Sequence, residues 1–118
     1  MGFSIKDAKI AYYAKKYHTE ALVEKIFKAY NDNDIEDSEK KKKIGRYSAA
    51  IAIRNIKKFT PKAAGNAASN RTFELVEKIK NVQNDSSLSY DEKKKKTSKY
   101  CLAIAIRRGI INTKELIK

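Results

Sequence analysis

The strongest constraint on this chain is a stretch that occurs twice. Lys40-Lys41-Lys42-Lys43 leads through Tyr47 into Ala50-Ile51-Ala52-Ile53-Arg54, and 53 positions later Lys93-Lys94-Lys95-Lys96 leads through Tyr100 into Ala103-Ile104-Ala105-Ile106-Arg107. At the same offset Leu22-Val23-Glu24-Lys25-Ile26 matches Leu75-Val76-Glu77-Lys78-Ile79, Asn31-Asp32 matches Asn84-Asp85, and Glu39 matches Glu92. In all, 18 of the 33 positions from Leu22 to Arg54 are identical between the copies. Chance does not produce this agreement. The chain reads as a tandem duplication, and whatever it does is expected to be done twice.

Each copy reads as a short, a medium and a long helix. Four Gly and one Pro leave few breakers, and Ala, Lys, Glu and Ile, which dominate the rest, suit helices. Ser4 and Asp7 have capping-box spacing, with Ile5, Ala8, Ala11, Tyr12 and Tyr17 at helical intervals behind them, which predicts a first helix from about Ile5 to Tyr17. Thr19 is placed to cap a second helix with an apolar face of Leu22, Val23, Ile26, Phe27 and Tyr30, ending near Asn31. After a turn-rich loop the third helix is expected from Asp37 or Ser38 to about Lys58. Thr60-Pro61 restarts the pattern, Thr72 is placed to cap the next medium helix, and Ser89 with Glu92 forms a capping box for the last long one.

The expected fold is therefore all-α: one domain over residues 1–118, built from two tandem three-helix repeats, about 5–59 and about 60–111, with a stub helix at 112–118. Stacked repeats need three or more units to bury a continuous core. Two units point instead to a compact helical bundle with pseudo-two-fold symmetry, as a monomer or a homodimer.

The net charge is +13, and it is shared between the copies. Ala8 to Thr60 holds 13 Lys and Arg against 7 Asp and Glu, and Pro61 to Thr113 holds 11 against 5. A balance of this kind points to a polyanionic partner, nucleic acid before an anionic membrane surface. The long helix changes character along its length: Glu39 to Arg46 is charged nearly all round, whereas Tyr47 to Ile56 is apolar on most sides. The basic end should project and the Ala-Ile end should be buried. On a 100° helical wheel Lys42, Lys43 and Arg46 share a side with Ala50 and Arg54, a stripe in which a small residue between cations would admit a phosphate backbone.

These observations nominate Lys40, Lys41, Lys42, Lys43, Arg46, Lys93, Lys94, Lys95, Lys96 and Lys99 as phosphate-contacting residues, with Arg54, Arg107 and Arg108 as secondary candidates. Lysine is a point charge suited to phosphates, whereas guanine is most often read by Arg, so sequence preference should be weak. The type of nucleic acid, DNA or RNA, stays open. The plain alternative is a solvated basic face, since lysines in a first helical turn oppose the helix dipole. A second alternative is an interaction module or inhibitor that docks an acidic protein partner through the same face.

No feature supports catalysis, a cofactor or a metal site. Walker, Rossmann and nucleophile-elbow patterns are absent. His18 stands alone, and Asp32-Asn33-Asp34-Ile35-Glu36 lacks the sixth-position Gly of a calcium loop, while Ser86, Ser87 and Ser89 replace its acids in the second copy. Cys101, the single cysteine, lies in an apolar run where an inert buried thiol is expected. Tyr47 and Tyr100 are expected to pack against the core rather than stack on bases, and Tyr12, Tyr13 and Tyr17 to form core and rim of the first helix. The absence of a disulfide framework, a secretory leader and a membrane-spanning run leads us to expect a cytoplasmic, non-membrane protein.

Overall fold

The computed structural model describes residues 8–54, 63 and 65–110. Five helices follow one another, α1 (Ala8–Lys16), α2 (Thr19–Tyr30), α3 (Asp37–Ala52), α4 (Thr72–Gln83) and α5 (Tyr90–Arg107). Ala63 and residues 65–69, between α3 and α4, are helical too, and the described residues contain no strand. The expected opening of the first helix, the Thr60-Pro61 restart and the 112–118 stub lie outside the described residues.

Apolar spacing accounts for α2 and α4. Leu22, Val23, Ile26 and Ala29 of α2 are buried, as are Leu75, Val76, Ile79 and Val82 of α4, each set at i, i+3, i+4 or i+7 on one face. The long helices behave differently along their length, as their composition requires. Residues 48–52 of α3 and 101–105 of α5 are buried on every side, because α3 and α5 pack against each other along their largest shared surface while α2 flanks α3 and α4 flanks α5. Ser48 and Cys101, 53 positions apart, meet there, with the Ser48 hydroxyl beside the Cys101 thiol. Burial pushes that thiol up to about 12, so it stays protonated and unreactive. The Cα radius of gyration is 13.1 Å, as for one compact domain of this length.

The ends of the helices show where sequence reasoning needs correction. Thr19 and Thr72 are the first helical residues, not caps; the N-cap positions are His18 and Arg71. Each threonine is used otherwise, since Thr19 Oγ1 accepts from Arg54 and Thr72 is buried. Arg71 has no acceptor atom in its side chain, so only half a capping box forms: Glu74 Oε1 accepts from the Arg71 N–H at 2.7 Å. Ser89 forms the full box expected of it, accepting from the Glu92 N–H at 3.2 Å while Glu92 Oε1 accepts from the Ser89 N–H at 3.1 Å. Helix α3 ends at Ala52 rather than Lys58, and the chain turns at Ile53 and Arg54.

The far end of α5 is a Schellman motif. Gly109 takes φ 75°, a left-handed conformation open to glycine without steric cost. Its N–H donates to Ile106 at 3.0 Å and the Ile110 N–H donates to Ala105 at 2.9 Å. The turn lays Arg108 and Ile110 over α3 at Gly45, where an added methyl would stand 3.1 Å from Ile110 Cδ1 and 3.3 Å from Arg108 Cγ. Gly45 therefore serves close approach of the two long helices' ends.

Candidate functional site

The two lysine runs occupy the first turns of α3 and α5, and their members have different surroundings. Lys93 is half-buried and donates from Nζ to the Gln83 carbonyl at 3.0 Å, closing the C-terminal end of α4. Lys41 Nζ stands 5.3 Å from the Phe73 ring centroid and Lys94 Nζ 5.3 Å from that of Tyr90, within cation–π range. Lys42 and Lys95 are exposed, and Lys40 is half-buried. Arg46 and Lys99, at equivalent positions, are both half-buried, with Lys99 Nζ 5.1 Å from the Tyr100 ring centroid.

The last lysine of each run points to something the runs alone do not reveal. Lys43 lines a cleft between α2 and α3 together with Lys25, Lys28, Ala29, Asp32 and Tyr47, with a volume of about 320 Å³. Lys96 lines a cleft of about 290 Å³ between α4 and α5 with Lys78, Asn81, Val82, Asp85, Leu88 and Tyr100. Every residue of the first cleft has its counterpart, 53 positions on, in the second. Lys25, Lys43, Lys78 and Lys96 are all half-buried, their stems packed and their ammonium groups toward water. Lys25 Nζ also lies 4.6 Å from the Tyr17 ring centroid.

Each cleft holds one carboxylate, and that carboxylate is tied to its own loop. Asp32 Oδ1 accepts from the Asp34 N–H at 2.9 Å, and Asp85 Oδ1 accepts from the Ser87 N–H at 2.9 Å and the Ser87 hydroxyl at 2.6 Å. The Ser87 hydrogen bonds, with smaller help from the charges of Lys93 and Lys96, hold the Asp85 carboxyl below the usual range. Three lysines face one aspartate in the first cleft and two face one in the second, so both are cationic. Tyr47 packs on Tyr13 at 5.3 Å between centroids, and burial, more than the nearby Tyr13 and Tyr17, raises its pKa. Its phenol is a neutral donor at ordinary pH, at once a core-packing ring, as expected, and part of a cleft wall.

The arginines are engaged within the fold. Arg54 Nη1 donates to Thr19 Oγ1 at 3.0 Å, and Nη2 donates to the carbonyls of Ala14 and Tyr17, filling acceptors left open at the C-terminal end of α1. Arg107 Nη1 donates to the Ala67 carbonyl at 2.9 Å, and Ala67 is the counterpart of Ala14. Arg108 lies with its stem over Gly45. The expected stripe through Ala50 and Ala103 is overturned, because both residues are 0 % exposed; this buried stretch separates Arg46 and Lys99 from the exposed Arg54 and Arg107.

Sequence reading passed over Lys25, Lys28 and Lys78, which lie on the medium helices, away from the conspicuous runs. A signal was present for two of them, since Lys25 and Lys78 belong to the matched Leu-Val-Glu-Lys-Ile segments. Among the described residues no helix is long and apolar enough to cross a membrane. Comparison with protein-family models, curated proteins and solved structures gives no match to this chain.

Proposed function

We propose that this is a non-catalytic nucleic-acid-binding protein that holds the phosphate backbone through the lysine-rich starts of α3 and α5, with weak sequence preference. The observation that carries the reading is recurrence. The Ala-Ile segments are enclosed, and what both halves present to solvent at matching positions is cationic on balance: two lysine runs and two lysine-lined clefts, against the exposed acid pairs Glu24/Glu77 and Glu39/Glu92, on a chain of net charge +13. Such a surface suits a polymer of regularly spaced negative charges, whose condensed counterions are released on binding.

We further infer that the two halves arose by duplication and are related by an approximate two-fold axis. Three observations support this: α2 and α4 have bounds that differ by the repeat offset, equivalent residues Ser48 and Cys101 touch each other as residues on a dyad do, and Arg54 and Arg107 reach equivalent carbonyls. Each half thus presents one cationic surface.

The test is fluorescence anisotropy of labelled duplex DNA, single-stranded DNA and RNA across a salt series. The expected result is binding whose log–log salt slope corresponds to several phosphates, at about 0.9 per contact on duplex and about 0.7 on a single strand. Absence of binding at low salt overturns the reading. Salt-insensitive 1:1 capture of an acidic protein would favour the interaction-module alternative instead.

A further inference from the structure

We propose that the two clefts are a matched pair of phosphate seats for a nucleic-acid duplex, each gripping a backbone phosphate on a different strand; this deepens the nucleic-acid reading and rests on it. The lysine runs are not uniform reservoirs of charge. Lys93 is committed to a carbonyl, whereas Lys42 and Lys95 stand exposed. The fourth member of each run, Lys43 or Lys96, shares a cleft with a lysine from the neighbouring helix, Lys25 or Lys78. Two half-buried lysines on separate, packed helices have lost part of their rotamer freedom already, so they lose less on binding an anion than free surface lysines do.

The clefts suit a polymer's phosphate better than an enclosed small molecule. At about 320 and 290 Å³ they have room for on the order of ten waters, they open to solvent, and lysine and aspartate side chains line both, unlike the apolar, enclosing pockets that bury small ligands. Tyr47 and Tyr100 add a phenol to each wall. Asp32 and Asp85 exclude a second phosphate from the same seat by like-charge repulsion.

Symmetry selects the duplex. The two strands of a duplex run antiparallel, so phosphates on opposite strands are related by local two-fold axes, and two-fold proteins meet them in matching pairs. A single strand has direction and offers no such pairing. The molecule measures 37 × 34 × 30 Å, so both seats fall within about one helical turn of a duplex, roughly 34–36 Å. A 12-base-pair duplex, slightly longer than one turn, spans that distance.

The experiment measures anisotropy of a labelled 12-base-pair DNA duplex, its RNA counterpart and the corresponding single strands. It uses wild type, a cleft variant with Lys43→Gln and Lys96→Gln, a second with Lys25→Gln and Lys78→Gln, and a control with Lys15→Gln and Lys80→Gln that removes equal charge from exposed lysines outside the runs and clefts. Glutamine keeps much of the aliphatic stem and helix propensity, and circular dichroism verifies the fold. Expected are 1:1 binding of duplex, at least tenfold tighter than single strand, and a loss of about tenfold with a salt slope lower by about two in each cleft variant. The control should lose less than about threefold. Equal losses in control and cleft variants overturn the seats while leaving nucleic-acid binding in place; preference for single strands overturns the duplex assignment, a reading taken on wild type alone. No binding by wild type overturns both this inference and the function it rests on.

Discussion

The two halves match in one stretch of buried chain and differ around it. Ala50-Ile51-Ala52 and Ala103-Ile104-Ala105 are buried alike, and α2 and α4 begin and end at equivalent residues. The edges have diverged. Helix α5 starts with a closed Ser89–Glu92 box, whereas α3 starts at Glu36, whose side chain makes no cap bond. The first cleft carries Lys28 where the second carries Asn81. Equivalent buried positions differ as well, Ile44 against Thr97, Ser48 against Cys101 and Ala49 against Leu102, so the close-packed core is filled by unlike side chains at matched places. The identity between the halves is densest in the buried Ala-Ile segments and in the lysine runs that precede them.

The largest effect should fall on that shared interior. Ile51→Ala and Ile104→Ala each remove a side chain buried at the α3–α5 contact, and each should cost about 2–5 kcal/mol in urea denaturation. The two losses should agree within about 1 kcal/mol. A much smaller loss for one of them would show that the halves do not contribute equally to the core.

Next come the arginine clasps. Arg54 makes hydrogen bonds to Thr19 and to two carbonyls of α1, whereas Arg107 donates to Ala67. Both guanidinium groups are solvent-accessible, which moderates the effect. Arg54→Ala should cost about 1–2 kcal/mol and Arg107→Ala about 1 kcal/mol, and Lys at position 54 should restore little, since an ammonium cannot reproduce a planar fork. If either change weakened nucleic-acid binding with stability unaltered, these residues would belong to the interface after all.

A smaller exchange can be made between the helix starts. Glu36 and Ser89 are equivalent and adopt the same extended conformation, φ/ψ of −74°/162° and −72°/166°. Three residues on stand Glu39 and Glu92. Ser89→Ala should cost about 1 kcal/mol, and Glu36→Ser should complete a box in α3 and stabilise by about 0.5–1 kcal/mol. Thermal melts of the two variants moving in opposite directions would confirm that the halves differ here by one cap.

Much of the helical layout could be read from the residues because local rules govern it. Apolar spacing located α2 and α4, the Ser89–Glu92 pair set the start of α5, and the Ala-Ile runs announced their burial. What could not be read depends on tertiary approach. Thr19 looks like a cap until Arg54, 35 positions later, claims its hydroxyl. Lys25 and Lys43 look like unrelated surface charges until α2 packs on α3 and brings both to one cleft. Arg54 and Arg107 have the composition of an anion site, and only the open carbonyls of the preceding helices explain where their donors go. Side-chain type states what a residue can bind; which partner reaches it first is settled by packing.

The smallest effect probes a contact that one half makes and the other does not. Tyr30 donates to Glu77 Oε2 across the halves at 2.6 Å and stacks on Phe73 at 5.4 Å between centroids, whereas its counterpart Gln83 donates to Thr97 within its own half at 2.9 Å. The hydrogen bond to Glu77, then burial, then the Glu77 charge raise the Tyr30 pKa to about 12. The unfolded phenol titrates near its ordinary value of about 10. Between these values the folded chain holds a proton that the unfolded chain has released, so stability falls as pH rises. The contribution is fully present below about pH 10 and is lost as pH climbs through about 12. Urea denaturation of wild type and Tyr30→Phe should therefore show the wild type losing more stability over this window, with the lysine titrations common to both chains cancelling in the difference. Equal pH profiles would mean that the Tyr30–Glu77 bond contributes nothing to holding the halves together, leaving that task to the α3–α5 core and to contacts such as Tyr90–Glu20.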